Sequence, residues 1–178
     1  MIDLRFSELP FRIECDGRLY RLDTSFRVWI EFGRYLQEGK AWLGIFADDR
    51  PEGDWLPAAL EFYRSENKCP HDVPGQDARA LDILEDGDLI VAAFQQAYGI
   101  DLTSEDMHWH RFKALLANVP ESTKLSKVMG YRTYATPAKS DTNDAMMKRM
   151  RRMWSIPDPE AEKQREELLA WANEAMPW

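Results

Sequence analysis

Cysteine is nearly absent from this chain: Cys15 and Cys69 are the only two among 178 residues. They form no C-x-x-C and no zinc-ligand spacing, which excludes a disulfide framework or a zinc finger and points to a reducing compartment. Histidine is as scarce, at three. No G-x-S-x-G elbow, phosphate loop, H-E-x-x-H pair or EF-hand loop is present, so the sequence offers no catalytic, cofactor-binding or metal-ligating set. No apolar run approaches the length of a membrane span. The opening M-I-D-L-R-F-S-E-L-P-F carries charges among its apolar residues, unlike a signal peptide, and the expectation is a soluble protein made and used in a cytoplasm. No period of 20–50 residues repeats, which excludes a solenoid. Basic residues are the minority, 23 against 31 acidic, and the net charge of −8 opposes non-specific attraction to nucleic acid or anionic membrane.

What is present is enough apolar material for a core: 44% hydrophobic and 12% aromatic residues, well outside disordered composition. The pattern predicts a mainly α, multi-helix domain with a small N-terminal β-hairpin. Segments 11–15 and 18–22 flank Asp16-Gly17, a pair suited to a two-residue turn in which both positions need φ > 0. A helix is expected from a cap at Asp23 or Thr24 to Glu38. Its polar stripe of Arg27, Glu31, Arg34 and Glu38 is narrow, so most of its circumference should be buried, with Arg27 and Glu31 pairing across one turn. Residues 39–53 read as a loop with a docked piece at 42–46. Further helices are expected over 54–67, 86–98, 104–118, 121–134, 144–155 and 158–175, with Gly99 in the left-handed position after the third and Pro159 opening the last. A long polar loop is expected over 69–79. The T-P-A-K-S-D-T-N stretch at 136–143 reads as a hinge. Residues 1–135 are therefore expected to form the hairpin and helical core, and 136–178 a hinged C-terminal helical segment.

Several residue groups invite chemistry and have blander explanations. His108 and His110, two apart on a helix, point about 200° apart and share a metal poorly. His108 is expected at the core edge with a hydrogen-bond partner, and His110 on the polar, solvated side. Asp82, Glu85, Asp86 and Asp88 lack the alternation of a calcium loop and suit a helix start. Cys69 and His71 lack a third catalytic group. The strongest surface candidate is M-M-K-R-M-R-R-M-W. Met146, Met147, Met150, Met153 and Trp154 make an apolar side, and Lys148, Arg151 and Arg152 line the other. Methionine suits adaptable contacts, and this helix is the expected partner-binding element; the alternative is a docked helix with solvated basic residues. Between Arg111 and Arg152, ten basic residues stand against three acidic ones, and the remainder of the chain carries −15. An acidic body with a basic segment implies internal pairing or a partner surface.

Four stretches carry a family resemblance: T-S-F-R-V-W-I-E-F from Thr24, E-D-G-D-L-I-V-A-A-F-Q-Q-A-Y-G-I-D-L from Glu85, M-H-W-H-R-F-K-A-L-L from Met107 and K-L-S-K-V-M-G-Y-R from Lys124. Together they resemble the bacteriophage Gp15 family, encoded in phage and prophage tail modules beside the tape-measure protein. The final helix matches less well. The resemblance carries no catalytic residues. It implies a chaperone-like tail-assembly protein that binds the tape-measure protein in the host cytoplasm and is absent from the mature virion. Self-association through the Met-rich helix is a further expectation. A structural tail-completion or connector component and a nucleic-acid-binding regulator are the alternatives.

Overall fold

Asp16 and Gly17 both take positive φ, 51° and 75°, and this mirror-image turn matches the right-handed twist of the strands it joins. In a computed structural model describing residues 8–64, 79–135 and 143–157, it connects β1 (Arg12–Cys15) to β2 (Arg18–Arg21) in an antiparallel pair. Six helices follow: α1 (Phe26–Gln37), α2 (Leu56–Arg64), α3 (Gly87–Tyr98), α4 (Trp109–Ala117), α5 (Lys124–Arg132) and α6 (Asp144–Met153), with a short 3₁₀ turn at Leu43–Ile45. The architecture is mainly α with one small hairpin, as the sequence predicts. The expected final helix over 158–175, the hinge but for Asn143, and the polar loop but for Arg79 lie outside the described residues. Among the described residues no helix is long and apolar enough to cross a membrane.

The chain groups into two compact units, Met1–Gly75 with Asp86–Lys127, and Gln76–Glu85 with Val128–Trp178. The first is built on an aromatic spine. Trp29 of α1 lies against Phe62 of α2, with ring centroids 4.5 Å apart, and its indole Nε1–H donates to the Asp23 carbonyl at 2.7 Å. Tyr63 stacks on Trp109 at 5.2 Å, and Phe112 of α4 stacks on both Phe26 and Phe94. Trp29, Phe32, Phe94, Phe112 and Trp109 are almost wholly buried. Such rings dominate the burial energy of a small domain.

Four local expectations are corrected. The cap of α1 is Ser25, whose hydroxyl accepts from Arg27 N–H, while Asp23 accepts from Ser25 N–H one step earlier. Arg27 does not pair with Glu31. It reaches Asp106 at 3.1 Å and donates to the Leu102 and Glu105 carbonyls, and Glu31 pairs with Arg34 instead. Helix α4 starts at Trp109, five residues later than the pattern predicts. The Asp101 carboxylate folds 101–104 into a turn by accepting from Thr103 and Ser104. Residues 107–109 are then held extended against α1's entry: Phe26 N–H donates to the Met107 carbonyl and Trp109 N–H to the Thr24 carbonyl. Helix α5 begins after Thr123, whose buried hydroxyl accepts from Ser126 N–H, rather than at Glu121. Gly99 takes φ 68° at the end of α3, and its N–H donates to the Gln95 carbonyl, as expected.

Candidate functional site

The Met-rich helix α6 lies in the second unit, and its contacts there divide its faces. Asp144, in its first turn, is 3% exposed. Its carboxylate accepts from Tyr134 Oη at 3.3 Å and pairs with Lys148 Nζ at 2.8 Å, one turn along the helix. At the other end, Arg132 is buried and donates through Nε to the Trp154 carbonyl at 2.6 Å and through Nη1 to the Ala80 carbonyl at 3.1 Å. Arg151 donates to the Tyr134 carbonyl at 3.2 Å. A helix held at both ends by buried, charge-assisted hydrogen bonds presents a fixed face.

The expected binding residues separate accordingly. Met147, Met150 and Trp154 are half-buried, whereas Met146 and Met153 are 57% and 63% exposed. Lys148 and Arg151 are exposed but engaged, by Asp144 and the Tyr134 carbonyl. Arg152 is exposed and its guanidinium has no partner among the described residues. Arg149, absent from the expected set, shares that condition. At 100° per residue Arg149 lies within about 60° of both Met146 and Met153, and Arg152 lies about 60° further round beyond Arg149, so the solvent face carries two neighbouring thioethers with guanidiniums along one side. The signal was the helical wheel itself, read with Asp144 rather than the methionines as the inward pole. Arg151 and Arg152 also stand in the last turn, where cations suit the helix dipole. This face can contact an apolar segment with acidic neighbours: thioethers adapt to varied apolar shapes, and planar guanidiniums bind carboxylates through two hydrogen bonds.

His108 and His110 tie separate segments of the first unit together. His108 caps α4: Nδ1 accepts from His110 N–H at 3.0 Å, and Nε2–H donates to the Pro10 carbonyl at 2.9 Å. The expected partner at the core edge is therefore present. His110, expected to be solvated, is instead 4% exposed, with Nε2 at 2.9 Å from the Phe62 carbonyl. The Phe62 ring, 4.4 Å away between centroids, covers this side of α4's first turn. Burial drives the His110 pKa down to about 4, so the ring is neutral, Nε2 carries the proton, and Nδ1 is a lone pair without a partner among the described residues. Trp109 Nε1–H and Lys113 Nζ both donate to the Tyr63 carbonyl, and burial lowers the Lys113 ammonium to about 8. The H-W-H-R-F-K sequence thus satisfies carbonyls of α2's last described turn. The two imidazoles, 5.1 Å apart between centroids, are committed to different carbonyls.

Asp82 acts locally: Oδ1 accepts from Leu84 and Glu85 N–H, and Oδ2 pairs with Arg79. Among the described residues no three His, Cys, Asp or Glu side chains gather as a metal site. Cys69 and His71 lie outside the described residues. Cys15 is buried in β1.

Residues 57–168 match the family model described as Bacteriophage Gp15 protein, more than half of the chain. The match spans α2 through α6 and continues into the C-terminal segment, while the hairpin and the Thr24–Phe32 motif precede it. No curated protein and no solved structure matches the chain significantly.

Proposed function

The chain belongs to the bacteriophage Gp15 protein family, and on that premise we propose that it serves phage tail assembly as a non-enzymatic, chaperone-like protein. Its client is the tape-measure protein, a long helical chain that must stay soluble while tail subunits polymerise around it. Holding such a client needs apolar surface that exchanges partners, and no reaction. The observation that carries this reading is the solvent face of α6, where Met146 and Met153 are exposed next to Arg149, with Arg152 beyond it, and neither guanidinium has a partner among the described residues. The acidic remainder of the chain keeps a protein with such a face soluble. The protein acts in the host cytoplasm and leaves before the virion matures.

The test is co-purification of the tape-measure protein with a Met146→Asp, Met153→Asp variant. Both side chains are exposed, so circular dichroism should be unchanged while capture of the client is lost. The Met147→Asp, Met150→Asp pair should instead disturb folding, because half-buried carboxylates without partners are penalised. Undiminished capture by the folded Met146/Met153 variant would eliminate α6 as the client site and move attention to residues 42–46. Stoichiometric presence in purified virions by mass spectrometry would make the protein a structural tail component. A salt-dependent shift of DNA would favour the nucleic-acid reading.

A further inference from the structure

Among the described residues nothing pairs with the outer backbone edge of β1, and the residues along that edge are complementary to themselves. Leu22 N–H donates to the Phe11 carbonyl at 2.9 Å. In the register Arg12↔Arg21, Ile13↔Tyr20, Glu14↔Leu19, that bond makes 11/22 a hydrogen-bonded pair. Bonded pairs alternate along an antiparallel ladder, so Ile13 also faces β2, whereas the N–H and C=O groups of Arg12 and Glu14 point away from it. The corresponding outer groups of β2 are partly used, since Ala47 N–H donates to the Arg21 carbonyl. Those of Arg12 and Glu14 have no partner among the described residues. Both side chains are exposed, and Ile13 between them is buried. This edge runs beside a groove of about 940 Å³ whose apolar lining includes Ile13, Pro57, Ala58, Leu60 and Phe62.

We propose that the occupant of this edge is β1 of a second copy of the chain, paired antiparallel about Ile13 to form a four-stranded sheet across a two-fold axis. In that arrangement Arg12 stands opposite Glu14 of the second copy, and Glu14 opposite its Arg12. Each pair exchanges two backbone hydrogen bonds, so four open-edge donors and four acceptors are satisfied at once. The side chains agree with the backbone. Within one hairpin Arg12 is opposed by Arg21, an unfavourable like-charge pairing; the second copy places a carboxylate on its other flank, twice by symmetry. The two Ile13 side chains meet at the axis on the groove side, over Pro57, Ala58 and Leu60. A two-fold interface demands self-complementarity of this kind, and a strand edge with unpaired N–H and C=O groups templates the addition of another strand. An unrelated extended segment would use the backbone edge without needing the alternating Arg–Glu order.

The test uses the full chain in sedimentation equilibrium. The unaltered protein should dimerise reversibly. Glu14→Arg places four arginines at the axis, and Arg12→Glu places four carboxylates there. Each should weaken dimerisation by about tenfold or more, since every reversal acts at two symmetry-related pairs. The doubly swapped Arg12→Glu, Glu14→Arg protein restores the opposition and should dimerise again. Circular dichroism should be unchanged throughout, because both positions are exposed. A protein that stays monomeric at high concentration would overturn the proposal. So would a dimer that survives either single reversal, or a double swap that fails to rescue.

Discussion

His110 should make the stability of the first unit fall between pH 7 and pH 5, before the carboxylates contribute. In the unfolded chain the imidazole titrates near its ordinary value of 6.5, and in the folded chain near 4, because burial penalises the charged ring. A group with a depressed folded pKa is more protonated when unfolded, so stability is fully present above about pH 6.5 and drains away as pH falls toward 4. At pH 5 the unfolded ring is almost all protonated and the folded ring only about one-tenth. The difference from pH 7 is about 1.8 kcal/mol, or about 1–1.5 kcal/mol once partial water screening is allowed. His108 lies below its ordinary value for the same reason and adds in the same direction. The carboxylates of Glu31, Glu38 and Asp101 are held below their ordinary range by hydrogen bonds from Arg34, Lys40 and Thr103 respectively. Their contribution is therefore lost only under stronger acid. Urea unfolding at pH 7, 6 and 5 measures the slope. His110→Gln keeps a donor toward the Phe62 carbonyl and cannot titrate, so its slope should be flatter by about 1 kcal/mol over the window. An unchanged slope in the variant, or a His110 resonance titrating near 6.5 in the native protein, would refute the burial argument.

Trp29→Ala should cost about 3–5 kcal/mol by denaturant unfolding, since the ring is wholly buried and its N–H bonds the Asp23 carbonyl; a loss under about 1 kcal/mol would contradict the aromatic spine. Gly99→Ala should cost about 1 kcal/mol in the same assay, the penalty of a side chain at φ 68°. Arg132→Ala should release both ends of its bridge to the Trp154 and Ala80 carbonyls. The expected cost is about 2–4 kcal/mol, read as faster amide exchange in α6; unchanged protection there would mean that Arg132 does not anchor the helix.

The elements legible in the sequence are those whose signals are local. Asp16-Gly17 specified the hairpin because two consecutive positive φ values suit very few residue pairs, and Gly99 ended α3 for the same steric reason. The apolar spacing of Phe26, Trp29 and Phe32 defined the inner face of α1, and the alternation of Met and Arg defined two sides of α6. Tertiary structure decided everything that depends on a distant partner. Helix α4 starts at Trp109 because the backbone of 107–109 pairs with 24–26, and a contact across more than 80 residues leaves no trace in helical periodicity. Arg27 was drawn to Asp106 rather than Glu31 by the same approach of chain segments. His110 is buried because α2 brings the Phe62 ring and carbonyl onto that side of α4, a neighbour that the helical wheel does not show. In α6 the inward pole is Asp144, because Tyr134 Oη and Lys148 satisfy its carboxylate where hydropathy alone would place a methionine. A buried charge is tolerated only where such donors converge, and their convergence is a property of the folded chain.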